Sequence, residues 1–413
     1  MITLEECEAQ FVAPAAGAIP SSAARTLLHA VLLFTILISP LVFIEPAPYE
    51  FAAAILGLIC LMARVPLDAR VLPLVVMLIV WNLGGVIAMA GVLGEELTVR
   101  YVAISLFMAF SGVVFACLFA QDDMTPLAIM RRTYIVAGVA AAALGIAGYF
   151  SMFPGATDLF SLSGRARGAF KDPNVFGPFL ILPLLMLAYS LLVERIKLRQ
   201  IGAFLIILAA LFLSFSRGAW FHFGMSASVL IVLMFVTAPD ARTRARLTLL
   251  TAAAIGLLVA IFVFSLSFDA IGDMFKERAK LIQSYDAGSS LGRFHLQQLA
   301  IGQLLDNPFG LGPYGMQRLY GLQQHNTYLQ AFLVYGWIGG LAYIALILTT
   351  LAVGLRATFR ATPWRPYAIT ALAAFIGVIA EGFVIDTDHW RHFFLYLGIL
   401  WGTFAASSRY ASR

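Results

Sequence analysis

A single fixed charge lies within a continuous apolar stretch of 36 residues, positions 201–236. The stretch is too long for one membrane-spanning helix of about 20 residues, and it is long enough for two helices joined by a tight turn. The charge, Arg217, then falls at that turn, in the segment Ser216-Arg217-Gly218. Because a charge at the membrane edge is costly in lipid, Arg217 is expected to face protein, a cavity or a ligand. The sequence therefore predicts an anion-binding point within a multispanning membrane protein.

The composition of the 413-residue chain supports a membrane protein. Hydrophobic residues make up 61% of the chain and charged residues 12%, and the mean hydropathy is +0.89. A soluble domain carries about 25% charged residues. The net charge of +5 is spread along the loops, so nucleic acid is not an expected partner. The three cysteines show neither a metal-site spacing nor a disulfide framework.

Hydropathy predicts an all-α fold with about twelve membrane-spanning helices and a long outer loop that carries short helices. The predicted spans are 26–44, 49–63, 71–92, 101–120, 127–150, 175–192, 201–215, 219–236, 247–266, 327–353, 367–385 and 393–407. The domain organisation follows from them. It comprises a cytoplasmic tail at 1–25, nine spans at 26–266 with a basic outer loop at 151–174, an outer loop at 267–326, and three spans with a short cytoplasmic tail at 327–413.

Positive charges orient the predicted spans. With the amino terminus in the cytoplasm, sixteen of the 27 lysines and arginines fall in the inside segments, and every short inside loop carries at least one. Five of the remaining cations lie in the long loop 267–326, which the positive-inside rule does not count. The two unusual loops, 151–174 and 267–326, are therefore expected on the outer side of the membrane.

The outer loop 151–174 has the features of an anion site. Arg165, Arg167 and Lys171 run against the inside bias of positive charge, and neighbouring glycines allow close approach of the backbone to a ligand. The segment 172–174 (DPN) predicts a helix start, whose free N–H groups attract anions, and a guanidinium binds phosphate in a bidentate manner. A basic loop that binds lipid headgroups explains these residues equally well.

Three further residues on the outer side are candidates for chemistry, and each has a plainer interpretation. His325, beside Asn326 at the mouth of the tenth span, can take a proton near neutral pH, although a hydrogen-bonded interfacial histidine is the simpler interpretation. Arg293 lies on a helix predicted from about 289 to 305, where a solvated helix charge is the alternative. For Arg217, the plainer interpretation is an arginine at a helix end whose side chain extends to the lipid headgroups.

Polar residues also occur at the outer ends of the last two spans. Glu381 lies inside the eleventh span, where an acid normally has a partner, and the expected alternatives are pairing with Arg217 or orientation of His325. The segment 386–392 (DTDHWRH) is interpreted as an interfacial belt of polar and aromatic residues rather than a metal site, because it shows no recognisable ligand spacing.

Five segments, in this order, resemble the O-antigen ligase and Wzy-type polymerase superfamily. They are LSFSRGAW at 213–220, GR at 292–293, NPFGLG at 307–312, HNTYL at 325–329 and YGWIG at 335–339. Upstream, RARGAF at 165–170 and DPN at 172–174 are similar to the family's earlier basic loop. The resemblance covers about residues 200–345, and the order of the segments around a long outer loop is its most specific part.

The resemblance implies a metal-independent, inverting glycosyltransferase without a cofactor, in the bacterial inner membrane with its active site on the periplasmic side. Its donor is an undecaprenyl-pyrophosphate-linked glycan, and its acceptor is a hydroxyl of lipid A-core or of another glycan. By this resemblance Arg217 and Arg293 hold the donor pyrophosphate, one of Arg165 and Arg167 assists, and membrane lipid surrounds the site. His325 is the base that deprotonates the acceptor. The residues expected to support them are Asn326, Glu381 and Lys171.

Two alternatives stay open at the level of sequence. A Wzy-type polymerase of O-antigen or exopolysaccharide has the same motifs and differs only in its acceptor. A lipid-glycan flippase or transporter predicts repeated halves and polar residues at the midplane of broken helices. Here the polar residues lie at the outer edge and the long loop follows the ninth span, so the sequence favours a transferase of the ligase type.

Overall fold

The computed structural model describes residues 22–194, 196–265, 267 and 292–412. In these residues the chain forms helices and one two-stranded hairpin. In chain order the helices are α1 (Ser22–Leu37), α2 (Pro48–Met62), α3 (Leu72–Met89), α4 (Glu96–Phe119), α5 (Thr125–Tyr149), α6 (Ala156–Phe160), α7 (Pro173–Phe179), α8 (Ile181–Val193), α9 (Leu198–Leu213), α10 (Arg217–Val236), α11 (Ala241–Ser265), α12 (Arg293–Asp306), α13 (Gly315–Tyr320), α14 (Thr327–Phe359), α15 (Arg365–Glu381) and α16 (Arg391–Ala411). The hairpin consists of β1 (Ser161–Leu162) and β2 (Arg165–Ala166), and single 3-10 turns at Ala69–Val71 and Ala90–Val92 flank α3.

Eleven of the twelve predicted spans each overlap one helix, and the span 175–192 covers the two consecutive helices α7 and α8. Among the described residues, six helical segments are long and apolar enough to cross a membrane: Ala69–Val92, Glu96–Phe119, Thr125–Tyr149, Pro173–Val193, Arg217–Val236 and Thr327–Phe359. Three shorter apolar helices, Ala23–Leu37, Pro48–Met62 and Leu198–Leu213, include the second and seventh predicted spans. The polytopic all-α character is therefore confirmed, whereas twelve crossings and the outer position of the loops stay predictions.

Helix α14 is broken at Gly336, where φ is 64° and ψ is −176°. The break frees backbone groups that the preceding loop satisfies: the Trp337 N–H donates to the Pro308 carbonyl at 2.9 Å, and the Leu311 N–H donates to the Leu333 carbonyl at 2.7 Å. In a bilayer, backbone groups must find partners within the protein, so this exchange lets a broken helix persist. Two of the segments that carry the family resemblance, NPFGLG and YGWIG, therefore bind each other.

The end of α12 agrees with the sequence prediction. Helix α12 ends at Asp306, before Asn307-Pro308, as predicted, while its predicted start near Ser289 lies outside the described residues. Glycines let α3 and α14 approach closely, because a Cβ on Gly84 would lie 2.2 Å from the Tyr335 carbonyl oxygen. The break itself is a feature that hydropathy did not predict.

Helix α15 is buried along nearly its whole length and contacts α8, α10, α14 and α16. An apolar helix that is covered on most sides belongs to the centre of a bundle rather than to its lipid-facing rim. The starts of α10 and α14 both contact the end of α15: a Cβ on Gly218 would lie 2.5 Å from Glu381 Oε1, and the Thr327 N–H donates to the Gly382 carbonyl at 2.8 Å.

Candidate functional site

Helix α10 begins at Arg217 after a tight turn, as the sequence predicts. The Ser216 Oγ caps the helix by accepting the Ala219 N–H at 3.3 Å. Phe215 has a φ of 44°, an uncommon conformation for a bulky residue. A helix start exposes backbone N–H groups and the positive end of the helix dipole, so the turn places the half-buried Arg217 where an anion is stabilised.

The basic loop contains the β-hairpin. Leu162 pairs with Arg165 in antiparallel register, and the connection is Ser163-Gly164 with φ angles of 50° and 71°. Two residues with positive φ form the mirror-image turn that matches the twist of a hairpin. The short hairpin is a departure from the expected purely helical fold, and it holds Arg165 on a defined strand.

Arg165 connects this hairpin to the α10 turn. Its Nε donates to the Ser214 carbonyl at 2.8 Å, and its Nη2 donates to Asn174 Oδ1 at 2.7 Å. Asn174 lies in the first turn of α7, whose predicted start is confirmed because the Asp172 Oδ1 accepts the Asn174 N–H at 2.7 Å. Since Ser214 precedes Arg217 by three residues, Arg165 binds the turn that leads into Arg217.

Two other cations of the basic loop make contacts elsewhere. The Arg167 Nη2 donates to the Asp158 carbonyl at 3.0 Å, within its own loop. The Lys171 Nζ lies 3.1 Å from Glu45 Oε2 in an exposed ion pair. The structure therefore gives Arg165, and not Arg167, a contact to the turn that bears Arg217.

His325 lies in the loop before α14 and forms a pair with Asp386. Its Nδ1 is 3.2 Å from Asp386 Oδ2, and its side chain is 48% exposed. A carboxylate at Nδ1 holds the ring hydrogen on that nitrogen and leaves Nε2 with a lone pair. Like Phe215, His325 has a positive φ, 48°, and such strained residues concentrate at functional sites.

Residues of the segment 386–392 take part in a hydrogen-bonded network, while its interpretation as an interfacial belt stays a prediction. Asp388 is 2% exposed and its Oδ2 accepts the Tyr101 hydroxyl at 3.1 Å, while the His389 Nε2 lies 3.1 Å from the Tyr335 hydroxyl. Burial, together with the carboxylate two residues earlier, raises the pKa of Asp388 to about 7. Burial alone lowers the pKa of His389 to about 4.

The start of α14 is bound to the end of α15 by backbone and side-chain contacts. Asn326 Oδ1 accepts the N–H groups two and three positions later at 3.0 and 3.1 Å, which caps α14. Its Nδ2 donates to the Phe383 carbonyl at 3.1 Å, and the Thr327 N–H donates to the Gly382 carbonyl at 2.8 Å. Asn326 thus supports His325 by holding its loop in place.

Helix α12 reaches the same loop. The Gln297 Nε2 lies 3.3 Å from the carbonyl oxygens of both Gln324 and His325. Arg293, the first residue of α12, is one turn earlier, which places its backbone about 6 Å further along the helix axis. The side chain of Arg293 lies outside the described part of the structure, so its contact with a donor stays a prediction.

The partner of Glu381 is His222, a residue that no sequence motif marks. The His222 Nδ1 is 2.8 Å from Glu381 Oε2, and both side chains are fully buried. The expectation that Glu381 orients His325 is wrong, because Asp386 occupies that position. A histidine within an apolar helix carries no sequence signal of a partner 159 residues away. The one sequence feature that could have drawn attention to His222 is its position inside a predicted membrane span, where a titratable side chain usually has a partner.

The candidate residues lie at two helix starts. Arg217 and Arg165 lie at the start of α10, and the His325–Asp386 pair lies at the start of α14. Helix α15 contacts both helices. Among the residues that the structure describes, no three His, Cys, Asp or Glu side chains are grouped so that they could hold a metal ion.

No curated protein matches the chain. Residues 202–344, however, match the family model described as O-antigen ligase. The matched region runs from α9 through the Arg217 turn and α12 to the first half of α14, and it therefore includes the arginine and histidine ends of the site. This match supports the resemblance of the chain to the O-antigen ligase and Wzy-type superfamily.

Proposed function

We propose that this protein transfers a glycan from an undecaprenyl-pyrophosphate carrier to an acceptor hydroxyl, of lipid A-core or a similar glycan, at the periplasmic face of the bacterial inner membrane. The observation that carries the proposal is the His325–Asp386 pair at 3.2 Å. Its loop leads into α14, which binds the end of α15, and the same helix end contacts the first turn of α10 after Arg217. The family match over residues 202–344 supports glycan transfer in general, and the geometry supports the division into donor and acceptor groups.

The donor end of the site is the start of α10. Arg217 and Arg165, with Arg293 from α12, bind the pyrophosphate through charge-assisted hydrogen bonds, and the first-turn N–H groups add to them. As the bond between the sugar and the pyrophosphate breaks, the electron pair passes to the phosphate oxygen. Preorganised guanidinium groups stabilise that developing charge in a site of low dielectric constant, so the proposed transfer is metal-independent.

The acceptor end of the site is His325. Its Nε2 takes the proton of the acceptor hydroxyl while the hydroxyl oxygen forms the new bond to the anomeric carbon. Asp386 holds the hydrogen on Nδ1 and stabilises the imidazolium that results. Attack from the side opposite the leaving pyrophosphate gives inversion at the anomeric carbon.

The test uses purified protein in lipid nanodiscs with a lipid-pyrophosphate glycan donor and a glycan acceptor. His325→Ala should abolish transfer and leave donor binding largely intact, whereas Arg217→Ala should impair donor binding. Arg217→Lys should not restore binding fully, because lysine lacks the planar fork. His295→Ala, at an exposed position of α12, and Arg244→Ala, on α11, are matched controls that should stay active.

Full activity of His325→Ala would remove the proposed base. Activity that is lost in a chelator and restored by a divalent ion would reject a metal-independent transfer. The acceptor decides between the two family activities: capping of lipid A-core indicates a ligase, and lengthening of a glycan by repeat units indicates a Wzy-type polymerase. Movement of the lipid-linked glycan across vesicles without any transfer would instead support a flippase.

A further inference from the structure

His222 and Glu381 form a fully buried pair between α10 and α15 that the proposed reaction does not yet use. Besides the 2.8 Å contact from its Nδ1 to Glu381 Oε2, the His222 ring places its Nε2 3.0 Å from the Ala374 carbonyl oxygen. Ionisable side chains inside membrane-spanning helices are costly and persist where they have a role. The hydrogen-bond partners of the two His222 ring nitrogens determine which atoms of the pair carry hydrogen.

A carbonyl oxygen only accepts hydrogen bonds, so the His222 Nε2 carries a hydrogen and donates it to Ala374. A neutral imidazole then has a lone pair on Nδ1, and the short contact to Glu381 requires a hydrogen between Nδ1 and Oε2. That hydrogen belongs to the carboxyl group in the neutral form, or to the ring if the pair is ionic. Separated charges in a dry site cost more than a neutral hydrogen bond, which favours the protonated carboxyl.

Glycines make the room for both side chains. A Cβ on Gly377 would lie 2.2 Å from the His222 Cδ2, and a Cβ on Gly218 would lie 2.5 Å from Glu381 Oε1. The Oε1 atom is buried without a hydrogen-bond partner among the described residues. Because Gly218 follows Arg217, a negative charge on Glu381 would compete with a bound anion for the start of α10.

The pair also links the two ends of the site mechanically. The pair joins α10, which begins at Arg217, to the last turn of α15. Gly382, the residue after Glu381, accepts the Thr327 N–H at the start of α14. The distance between the arginine and the His325 loop therefore depends on this contact.

We infer that His222 and Glu381 are positioning residues of the proposed glycan transfer: an uncharged pair that shares one proton, sets the α10 arginine against the α14 histidine, and keeps negative charge away from the bound pyrophosphate. The inference rests on the proposed function. The other ionisable groups that face the pair are His392 and Tyr396 on α16.

The decisive comparison is between Glu381→Gln and Glu381→Ala. Glutamine keeps a donor for the His222 Nδ1 and cannot ionise, so kcat should stay within about threefold of the wild type and the pH–rate profile should be unchanged. Alanine removes the link, and a displacement of about 1 Å at a reacting group lowers kcat about 100-fold. His222→Ala should match Glu381→Ala, and the double variant should lose no more than either, since the two act as one unit.

The matched control is Thr350→Val, which removes another buried hydrogen bond between helices, the 3.0 Å contact from Trp401 Nε1. It should lower thermal stability as much as Glu381→Ala while leaving kcat within about twofold. Glu381→Gln as inactive as Glu381→Ala would overturn the uncharged pair. Glu381→Ala as active as Thr350→Val at equal thermal stability would overturn the positioning role.

Infrared spectroscopy tests the same pair without turnover. The wild type should show the carbonyl band of a buried, protonated carboxylic acid, which disappears in Glu381→Gln and shifts in His222→Ala. Absence of that difference band means an ionised Glu381 and overturns the inference, even if alanine variants fail to fold. A wild type that shows the band but transfers no glycan to any acceptor overturns the proposed function, and with it the positioning role.

Discussion

Replacing Asp386 by asparagine separates the orientation of His325 from its basicity. The substitution keeps the size of the side chain and removes the negative charge 3.2 Å from Nδ1. A hydrogen bond to a charged group contributes about 1.5–3 kcal/mol. Since the two side chains are 48% and 24% exposed, solvent screening reduces the contribution to about 1–2 kcal/mol. At about 1.4 kcal/mol for each tenfold change in rate, kcat should fall about 5- to 30-fold.

The assay measures initial rates of transfer at saturating donor and acceptor, with the KM for the donor determined in parallel. The KM should change by less than about twofold, because Asp386 acts on the histidine and not on the pyrophosphate-binding arginines. Glu45→Gln is the matched control, since it neutralises an exposed acid that pairs with Lys171 instead. A kcat above half of the wild-type value in Asp386→Asn, together with an inactive His325→Ala, would show that the carboxylate does not orient the base.

Three further predictions concern the donor site, the buried network and the broken helix. Arg165→Ala should weaken donor binding about tenfold and Arg167→Ala less than about twofold, and equal effects in a donor-binding titration would contradict the geometry. The folded pKa of Asp388, about 7, lies above its ordinary 3.8, so its contribution to stability is complete below about pH 4 and is lost as the pH rises to about 7. Asp388→Asn should flatten the melting temperature across that range, and an unchanged slope would refute this assignment. Gly336→Ala should destabilise the protein by about 1–3 kcal/mol, because its φ of 64° and ψ of −176° suit only glycine. Gly224→Ala, where nothing lies within 4 Å of the added Cβ, is the control, and equal melting of the two variants would exclude strain at the break.

Much of the fold was predictable because local chemistry determines it. The turn before Arg217, the helix start at Pro173 and the end of α12 at Asp306 follow from apolar run length, capping and proline rules. The break in α14 was not predictable in this way. Its apolar pattern is continuous, and Gly336 adopts its conformation only because Pro308 and Leu311 supply the missing backbone partners.

The site was predictable in its individual members and not in its pairs. Arg217 and His325 stood out as charged or titratable residues at the ends of apolar runs. Their partners did not, because Asp386 is 61 residues from His325 and the segment around it resembles an ordinary interfacial belt. The sequence makes Arg165 and Arg167 equally good candidates for donor binding, and only the contact of Arg165 to the Ser214 carbonyl distinguishes them.

The sequence by itself determined a helical membrane protein with a charged turn at Arg217 and a histidine at the start of a later helix, because hydrophobic run length and isolated charges act over one or two helices. The tertiary structure alone decided which side chains pair: Asp386 with His325, and Glu381 with His222. Such pairs depend on how distant helices pack around α15. How the helices pack depends on the shapes of their buried surfaces, and these shapes produce no periodic pattern in the sequence.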